Sequence, residues 1–304
     1  MPEWDAEREV DGALVQRVLA DQFPELLVGD PRLLATGWDN SVWLVNDDLV
    51  FRFPRRAIAL PGIEREIMVL PELAPRLPIT IPAPTRVGRP GPHFPWPFVG
   101  APFIHGGEPA AMQLDGRRAI IGVALGRFLL ALHRPSILAS WRDRLPHDPM
   151  ARADMRRRVP LTAQRLDAVQ SRGLWRVPAA AERILDDAVA LPESDGLALV
   201  HGDLHVRHVL MDDAGEPTGI IDWGDACIGD PAIDLSLYWS LLDTEGRSAF
   251  AEAYGAITEV HLARARVIAL FLNAALAVYA ADIGNGALLA EAIGGLDRTV
   301  REGP

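Results

Sequence analysis

Apolar positions along this chain fall into two regimes, short strand-like runs first and long helical stripes later. Residues 5–20 place Val10, Ala13, Leu14, Val18 and Leu19 near helical spacing. Residues 32–36, 42–45 and 49–53 then read as strands, separated by Gly37-Trp38-Asp39-Asn40-Ser41 and by Asn46-Asp47-Asp48. Asn-Asp-Asp is a turn signal, so the second and third runs form a hairpin. A helix is expected over 63–73, with Pro61-Gly62 before it and Pro75 closing it. Proline-rich sequence fills 78–97, and an apolar strand-like run covers 98–104 until Gly106-Gly107 breaks it. The β-β-β-α-β-β order describes a small twisted antiparallel lobe carrying one helix.

Beyond that point the period is mostly helical, over 117–133, 178–191, 244–255, 261–281 and 288–300. A β-rich insert at 197–222 interrupts it, with Gly215-Glu216-Pro217-Thr218-Gly219 read as a hairpin turn between two short strands. The apolar run 267–281 contains Asn273 and is short for a bilayer, so a buried core helix is expected. The natural boundary lies near His105. The fold class is therefore α+β, with an N-terminal lobe at 1–104 and a larger helical lobe at 105–304.

Composition narrows the partners. A length of 304 residues suits two packed lobes, and 49% hydrophobic with 23% charged residues describes a soluble globular chain. The net charge of −11 argues against nucleic acid and is compatible with a cationic small-molecule acceptor. The start, Met1-Pro2-Glu3-Trp4-Asp5, lacks the basic and apolar pattern of a signal peptide, and no membrane partner is expected. Cys227 is the single cysteine, so no internal disulfide forms; a reducing cytoplasm and a packing role for the thiol are expected. All thirty basic residues are arginine, so any phosphate-pairing lysine must be replaced.

The chemistry concentrates in residues 200–234. Asp203 sits in a His201-Gly202-Asp203 turn, His208 lies five positions on, and Asp222 ends the strand Ile220-Ile221-Asp222-Trp223. A kinase site needs this layout: one carboxylate to orient and deprotonate a hydroxyl, and two metal ligands to hold nucleotide phosphates. Neutral imidazole can serve as the second ligand, although it is softer than an amide oxygen.

The run from His201 to Leu210, with Ile221-Asp222-Trp223-Gly224-Asp225-Ala226 and Asp230-Pro231-Ala232-Ile233-Asp234, resembles the aminoglycoside phosphotransferase family. Within it the motif is most similar to the macrolide phosphotransferases, which also carry histidine where most relatives have asparagine. The resemblance implies a protein-kinase-like two-lobe fold and transfer of a nucleotide γ-phosphate to a small-molecule hydroxyl. It makes Asp203 the catalytic base, His208 and Asp222 the Mg²⁺ ligands, and His201 and Asp234 supports of the catalytic loop. In the first lobe it places Arg52 of Phe51-Arg52-Phe53 where protein kinases have lysine, with Glu66 as its helix partner. Arginine keeps the charge and adds a second donor, so the exchange is workable. The loop ending in Asn40 and Ser41 lies where phosphates are covered, although it lacks Gly-x-Gly-x-x-Gly. The nucleotide base falls at the hinge formed by Ala101, Phe103 and Ile104. The donor is ATP or GTP, with the macrolide-type motif favouring GTP.

These readings give an Mg²⁺-dependent phosphotransferase acting on an antibiotic-like small molecule, a macrolide or aminoglycoside, as a resistance enzyme. Three alternatives stay open. A metabolic kinase of the same fold, of the choline or homoserine kinase kind, shares the paired aspartates. A degenerate module could bind nucleotide without transfer. A metallohydrolase could use His201, Asp203, His205 and His208, although offsets of two, four and seven need a special loop and leave Asp222, Arg52 and Glu66 unexplained. His205 and Asp225 receive no role. Arg52 with Glu66 also fits an ordinary surface pair. Asp243, Glu245 and Asp282 read as solvated helix residues; Tyr238, Trp239, Phe271 and Tyr279 read as helical core.

Overall fold

The structure, a computed structural model, describes residues 6–26, 29–37, 39–114, 116–194 and 196–301. The readings placed on residues 1–5 and on Trp38 lie outside these. The chain divides into two compact units, residues 1–76 with 80–104, and residues 77–79 with 105–304.

The first unit holds α1 (Gly12–Gln22), β1 (Arg32–Thr36), β2 (Asn40–Val45), β3 (Leu49–Pro54), α2 (Leu60–Leu73), β4 (Arg86–Gly88) and β5 (Phe98–Pro102). Asp11 caps α1 by accepting the Leu14 N–H at 2.7 Å, which satisfies one orphan donor of the first turn. The strands form one antiparallel sheet in the order β1-β2-β3-β5-β4. Its core joins Val15, Val18 and Leu19 of α1 to Trp43, Val45, Phe51, Phe53 and Phe98. Phe51 lies opposite Gly100, where a Cβ would stand 2.4 Å from the phenyl ring, so the ring occupies a missing side chain. Helix α2 starts three residues earlier than its apolar period, because Pro61 is tolerated in a first turn that has no N–H partners to lose. Strand β5 stops at Pro102, and β4 is a short edge strand inside the proline-rich stretch.

The second unit holds α3 (Arg118–Leu132), α4 (Pro135–Trp141), α5 (Met155–Ser171), α6 (Ala179–Val189), β6 (Ala198–Val200), β7 (Val209–Met211), β8 (Pro217–Ile220), β9 (Cys227–Gly229), α7 (Ser236–Ser240), α8 (Thr244–Tyr254), α9 (Glu259–Asp282) and α10 (Gly286–Val300). Strand β6 pairs with β9, and β7 with β8, both antiparallel. The hairpin turn is displaced from its expected place. Residues 212–216 turn, while Pro217, Thr218 and Gly219 belong to β8. The Asp212 carboxylate accepts the Glu216 N–H at 2.9 Å, and Gly215 takes φ +85°, so the aspartate sets the turn earlier.

Helix α9 is long and apolar enough to cross a membrane by length and composition alone. Its buried face includes Arg264 and Asn273, and it packs against α5, α7 and α10 as a core helix. The Arg264 guanidinium donates to the Ala153 and Pro192 carbonyls and pairs with Asp230 at 2.9 Å, so its charge is met inside the protein.

Candidate active site

Strand β6 leads into the turn that carries Asp203. The buried Asp234 carboxylate accepts the N–H of His201 at 2.7 Å and that of Gly202 at 3.1 Å, one oxygen each. His133 approaches the same carboxylate at 3.3 Å and meets the Tyr254 hydroxyl at 2.9 Å with its other nitrogen. Gly202 has φ +91°, and a Cβ there would lie 2.3 Å from the Asp225 carbonyl. Only glycine fits that bend. The His201 ring donates from Nε2 to the Ile221 carbonyl at 2.9 Å and accepts the Asp203 N–H at Nδ1. Burial, chiefly, pushes its pKa down, so His201 is a neutral strut between the turn and the end of β8.

The β7–β8 hairpin brings the other two residues together. Its register pairs Val209 with Ile220, and Ile221 N–H donates to the His208 carbonyl at 2.9 Å, which sets His208 beside Asp222. The His208 Nδ1–H donates to the Asp203 carbonyl at 2.8 Å, leaving Nε2 as a lone pair 3.4 Å from Asp222 Oδ2. A histidine whose second nitrogen is spent on a carbonyl is oriented as a metal ligand. Asp222 takes φ +65°, an uncommon backbone for a non-glycine residue, and its side chain is half exposed. Asp203 Oδ2 lies 3.9 Å from His208 Nδ1 and 3.6 Å from His205 Nε2.

Ligand atoms of Asp203, His205 and His208 lie within 4.8 Å of one another. The two imidazoles are stacked, with centroids 3.9 Å apart and planes inclined by 29°. A metal must lie near the plane of each ring that binds it, and stacked planes do not meet at bonding distance. Both nitrogens of His201 are already committed. The dense histidine cluster therefore does not converge on one ion, which leaves Asp222 and His208 as the adjacent pair of candidate metal donors. His205 instead caps the short turn 206–208, accepting the Arg207 N–H. Its pKa lies well below the usual value, chiefly because it is buried, with the nearby Arg207 guanidinium acting in the same direction.

In the first unit, Arg52 on β3 grips Glu66 on α2, one guanidinium nitrogen reaching both carboxylate oxygens at 2.6 and 2.8 Å. Glu66 is 2% exposed, so this is no surface pair. Asn40 and Ser41 open β2, opposite Pro54 and Phe53, and do not belong to the preceding loop. Their side-chain oxygens Oδ1 and Oγ are buried with no hydrogen-bond partner among the described residues. At the expected hinge, Ala101 is buried in β5 and the Phe103 N–H donates to the Asp48 carbonyl at 2.8 Å, so that amide is spent. Ile104 follows outside the strand.

Other candidates have local tasks. Asp243 caps α8, and Asp282 pairs with Arg172. Tyr238 and Trp239 are buried, while Phe271 and Tyr279 lie under the guanidinium groups of Arg158 and Arg207. Burial pushes the Cys227 thiol up to about 12, so it stays protonated. A cavity of about 690 Å³ opens over Asp148, Asp154, Glu193, Asp230 and Arg264, and none of Asp203, His208 or Asp222 lines it.

The model of the phosphotransferase enzyme family APH matches residues 30–268. The chain belongs to that family. This APH-family chain has the fold of the GDP and kanamycin complex of APH(2")-IIia, with 22% identity, a TM-score of 0.66, and coverage of 94% of this chain and 97% of that one. It also has the fold of macrolide 2'-phosphotransferase type I, with 23% identity, a TM-score of 0.60, and coverage of 96% and 98%. The α+β, protein-kinase-like fold expected from the sequence is thus the fold of this phosphotransferase. A 57-residue stretch is 40% identical to the uncharacterized protein YcbJ of Bacillus subtilis (strain 168). That match spans 19% of the length of this curated relative. One feature beside the candidate site was not foreseen: Asp225, which packs on Gly202, is held by Arg152 from the segment between α4 and α5. Asp225 lies within the recognisable motif but received no role there, and a lone arginine in a loop carries no sequence signal.

Proposed function

We propose that this protein is an Mg²⁺-dependent phosphotransferase that moves the γ-phosphate of a nucleotide to a hydroxyl of a small antibiotic-like molecule. The observation that carries the reading is the orientation of His208, whose Nδ1–H is held by the Asp203 carbonyl while Nε2 faces Asp222 at 3.4 Å. Two hard or borderline donors, His208 and the half-exposed Asp222, stand beside the turn that carries a second carboxylate, Asp203, to meet a hydroxyl. Asp222 and His208 would hold Mg²⁺, which when bound neutralises charge on the nucleotide phosphates. Arg52, fixed by Glu66, pairs with a phosphate oxygen. Asn40 and Ser41 offer unfilled side-chain oxygens and remain phosphate-loop candidates; Ala101 and Ile104 are the base-contacting candidates at the hinge.

Asp203 accepts a hydrogen bond from the acceptor hydroxyl and aims its oxygen at the γ-phosphorus. As the new P–O bond forms, the bond from the γ-phosphorus to the bridging oxygen breaks. The nucleoside diphosphate departs, and the hydroxyl proton passes to Asp203. Most of the rate gain comes from positioning and charge stabilisation, since phosphoryl transfer needs little covalent help.

The acceptor class rests on kinship: one protein of this fold is complexed with GDP and kanamycin, and another is named for macrolides. GTP is the proposed donor, with ATP as the competing one, and the reducing cytoplasm is the proposed compartment. A nucleotide-consumption screen tests the reading, offering GTP and ATP with Mg²⁺ against kanamycin, a macrolide, other antibiotics and cellular alcohols. Turnover with an antibiotic supports it; turnover confined to a cellular alcohol replaces the acceptor, and nucleotide binding without turnover removes the enzyme reading.

A further inference from the structure

Arg152 lies in the segment joining α4 to α5, with its side chain largely buried. Its Nη2 meets Asp225 Oδ1 at 3.0 Å, and its Nη1 stands 3.8 Å from Asp148 and makes no hydrogen bond. The segment is built to present it. Asp148 and Ala151 both take positive φ, at +24° and +48°, and the Asp148 carbonyl accepts the Ala151 N–H at 2.8 Å. Asp148 N–H donates to the Ile228 carbonyl in β9 at 2.9 Å, and the Arg152 carbonyl accepts the Arg158 Nε–H at 3.1 Å. Two non-glycine residues in the left-handed region mark a backbone held by its surroundings.

Asp225, the partner of Arg152, sits on the catalytic turn. Its carbonyl and Cβ come within 2.3 and 3.3 Å of where a Gly202 side chain would begin. Gly202 precedes Asp203. Asp234 already fixes this turn from one side through the N–H groups of His201 and Gly202. Arg152, acting through Asp225, presses it from the other.

We propose that Arg152 is a positioning residue for phosphoryl transfer, clamping Asp225 against Gly202 so that the Asp203 carboxylate keeps its aim. The proposal rests on the reading of Asp203 as the base. A turn released on one side would misplace that carboxylate, and misplacement near 1 Å costs on the order of 100-fold in rate. Nucleotide affinity is unaffected, because neither Arg152 nor Asp225 is a proposed ligand.

The test measures phosphate release from GTP and ATP with Mg²⁺, water serving as acceptor, in Arg152→Gln, Asp225→Asn, the double variant, Arg152→Lys and Asp203→Ala. Hydrogen exchange at residues 201–205 is read in parallel. Each single variant should lose roughly 10- to 100-fold in turnover at unchanged nucleotide Kd. The double variant should lose no more than the worse single, and Arg152→Lys should recover part of the loss. Exchange at 201–205 should quicken in Arg152→Gln and Asp225→Asn, and this arm decides the matter even where release is too slow to time. Unaltered exchange, or additive losses in the double variant, overturns the clamp. If Asp203→Ala alone keeps turnover, the reading of Asp203 fails first; if it loses turnover while Arg152→Gln does not, only the clamp fails.

Discussion

His208 presents Nε2 to the Asp222 carboxylate at 3.4 Å because Nδ1 is spent on the carbonyl of Asp203. One ring thereby joins the residue proposed as base to the residue proposed as metal ligand. A neutral histidine in this tautomer offers one donor and one acceptor, as an asparagine amide does.

His208→Asn is therefore expected to keep Mg²⁺-supported turnover within about tenfold, while His208→Ala should lose roughly 100-fold or more. Steady-state turnover against Mg²⁺ concentration checks this. Equal loss in both variants would show that the imidazole does something an amide cannot.

Glu66 is buried, so removing Arg52 takes away the guanidinium that faces both of its carboxylate oxygens. Arg52→Ala should destabilise the protein by about 3 kcal/mol and raise the nucleotide KM. Thermal melts and nucleotide titrations test the two effects separately. An unchanged KM would confine Arg52 to a structural role.

Gly202→Ala meets both a left-handed backbone and the Asp225 carbonyl. The variant should cost about 2 kcal/mol or more and lower turnover together with stability. A melt indistinguishable from the parent would mean that the turn relaxes easily.

His201 and His205 both have pKa values held below the ordinary histidine range, chiefly by burial. The unfolded chain then takes up protons near pH 6.5 that the folded chain refuses, so stability falls as pH drops through that value. Melting temperature should decline between about pH 7.5 and 5.5, and His205→Asn should flatten the decline. An identical slope in the variant would remove His205 from that effect.

Much of the fold was legible because short apolar runs and turn residues coincide, as at Asn46-Asp47-Asp48 between β2 and β3. Helix α5 was not. Its buried stripe is Met155, Arg158, Thr162, Leu166 and Val169, and Pro160 sits within it, so the apolar period is masked by an arginine that buries against Phe271. The site motif showed Asp203, His208 and Asp222 because their spacing is local. Arg152 reaches Asp225 from 73 positions away in sequence (225 − 152), and only the folded chain reveals that. The hairpin turn was misplaced because Gly215 and Gly219 are both turn-like, and Asp212 decides between them.

The most direct test is turnover by Asp203→Ala beside its nucleotide Kd, each measured with Mg²⁺ and either GTP or ATP. A loss of roughly 100- to 10,000-fold at nearly unchanged affinity is expected if this carboxylate aims and deprotonates the acceptor. Turnover close to the parent's would contradict the proposed mechanism.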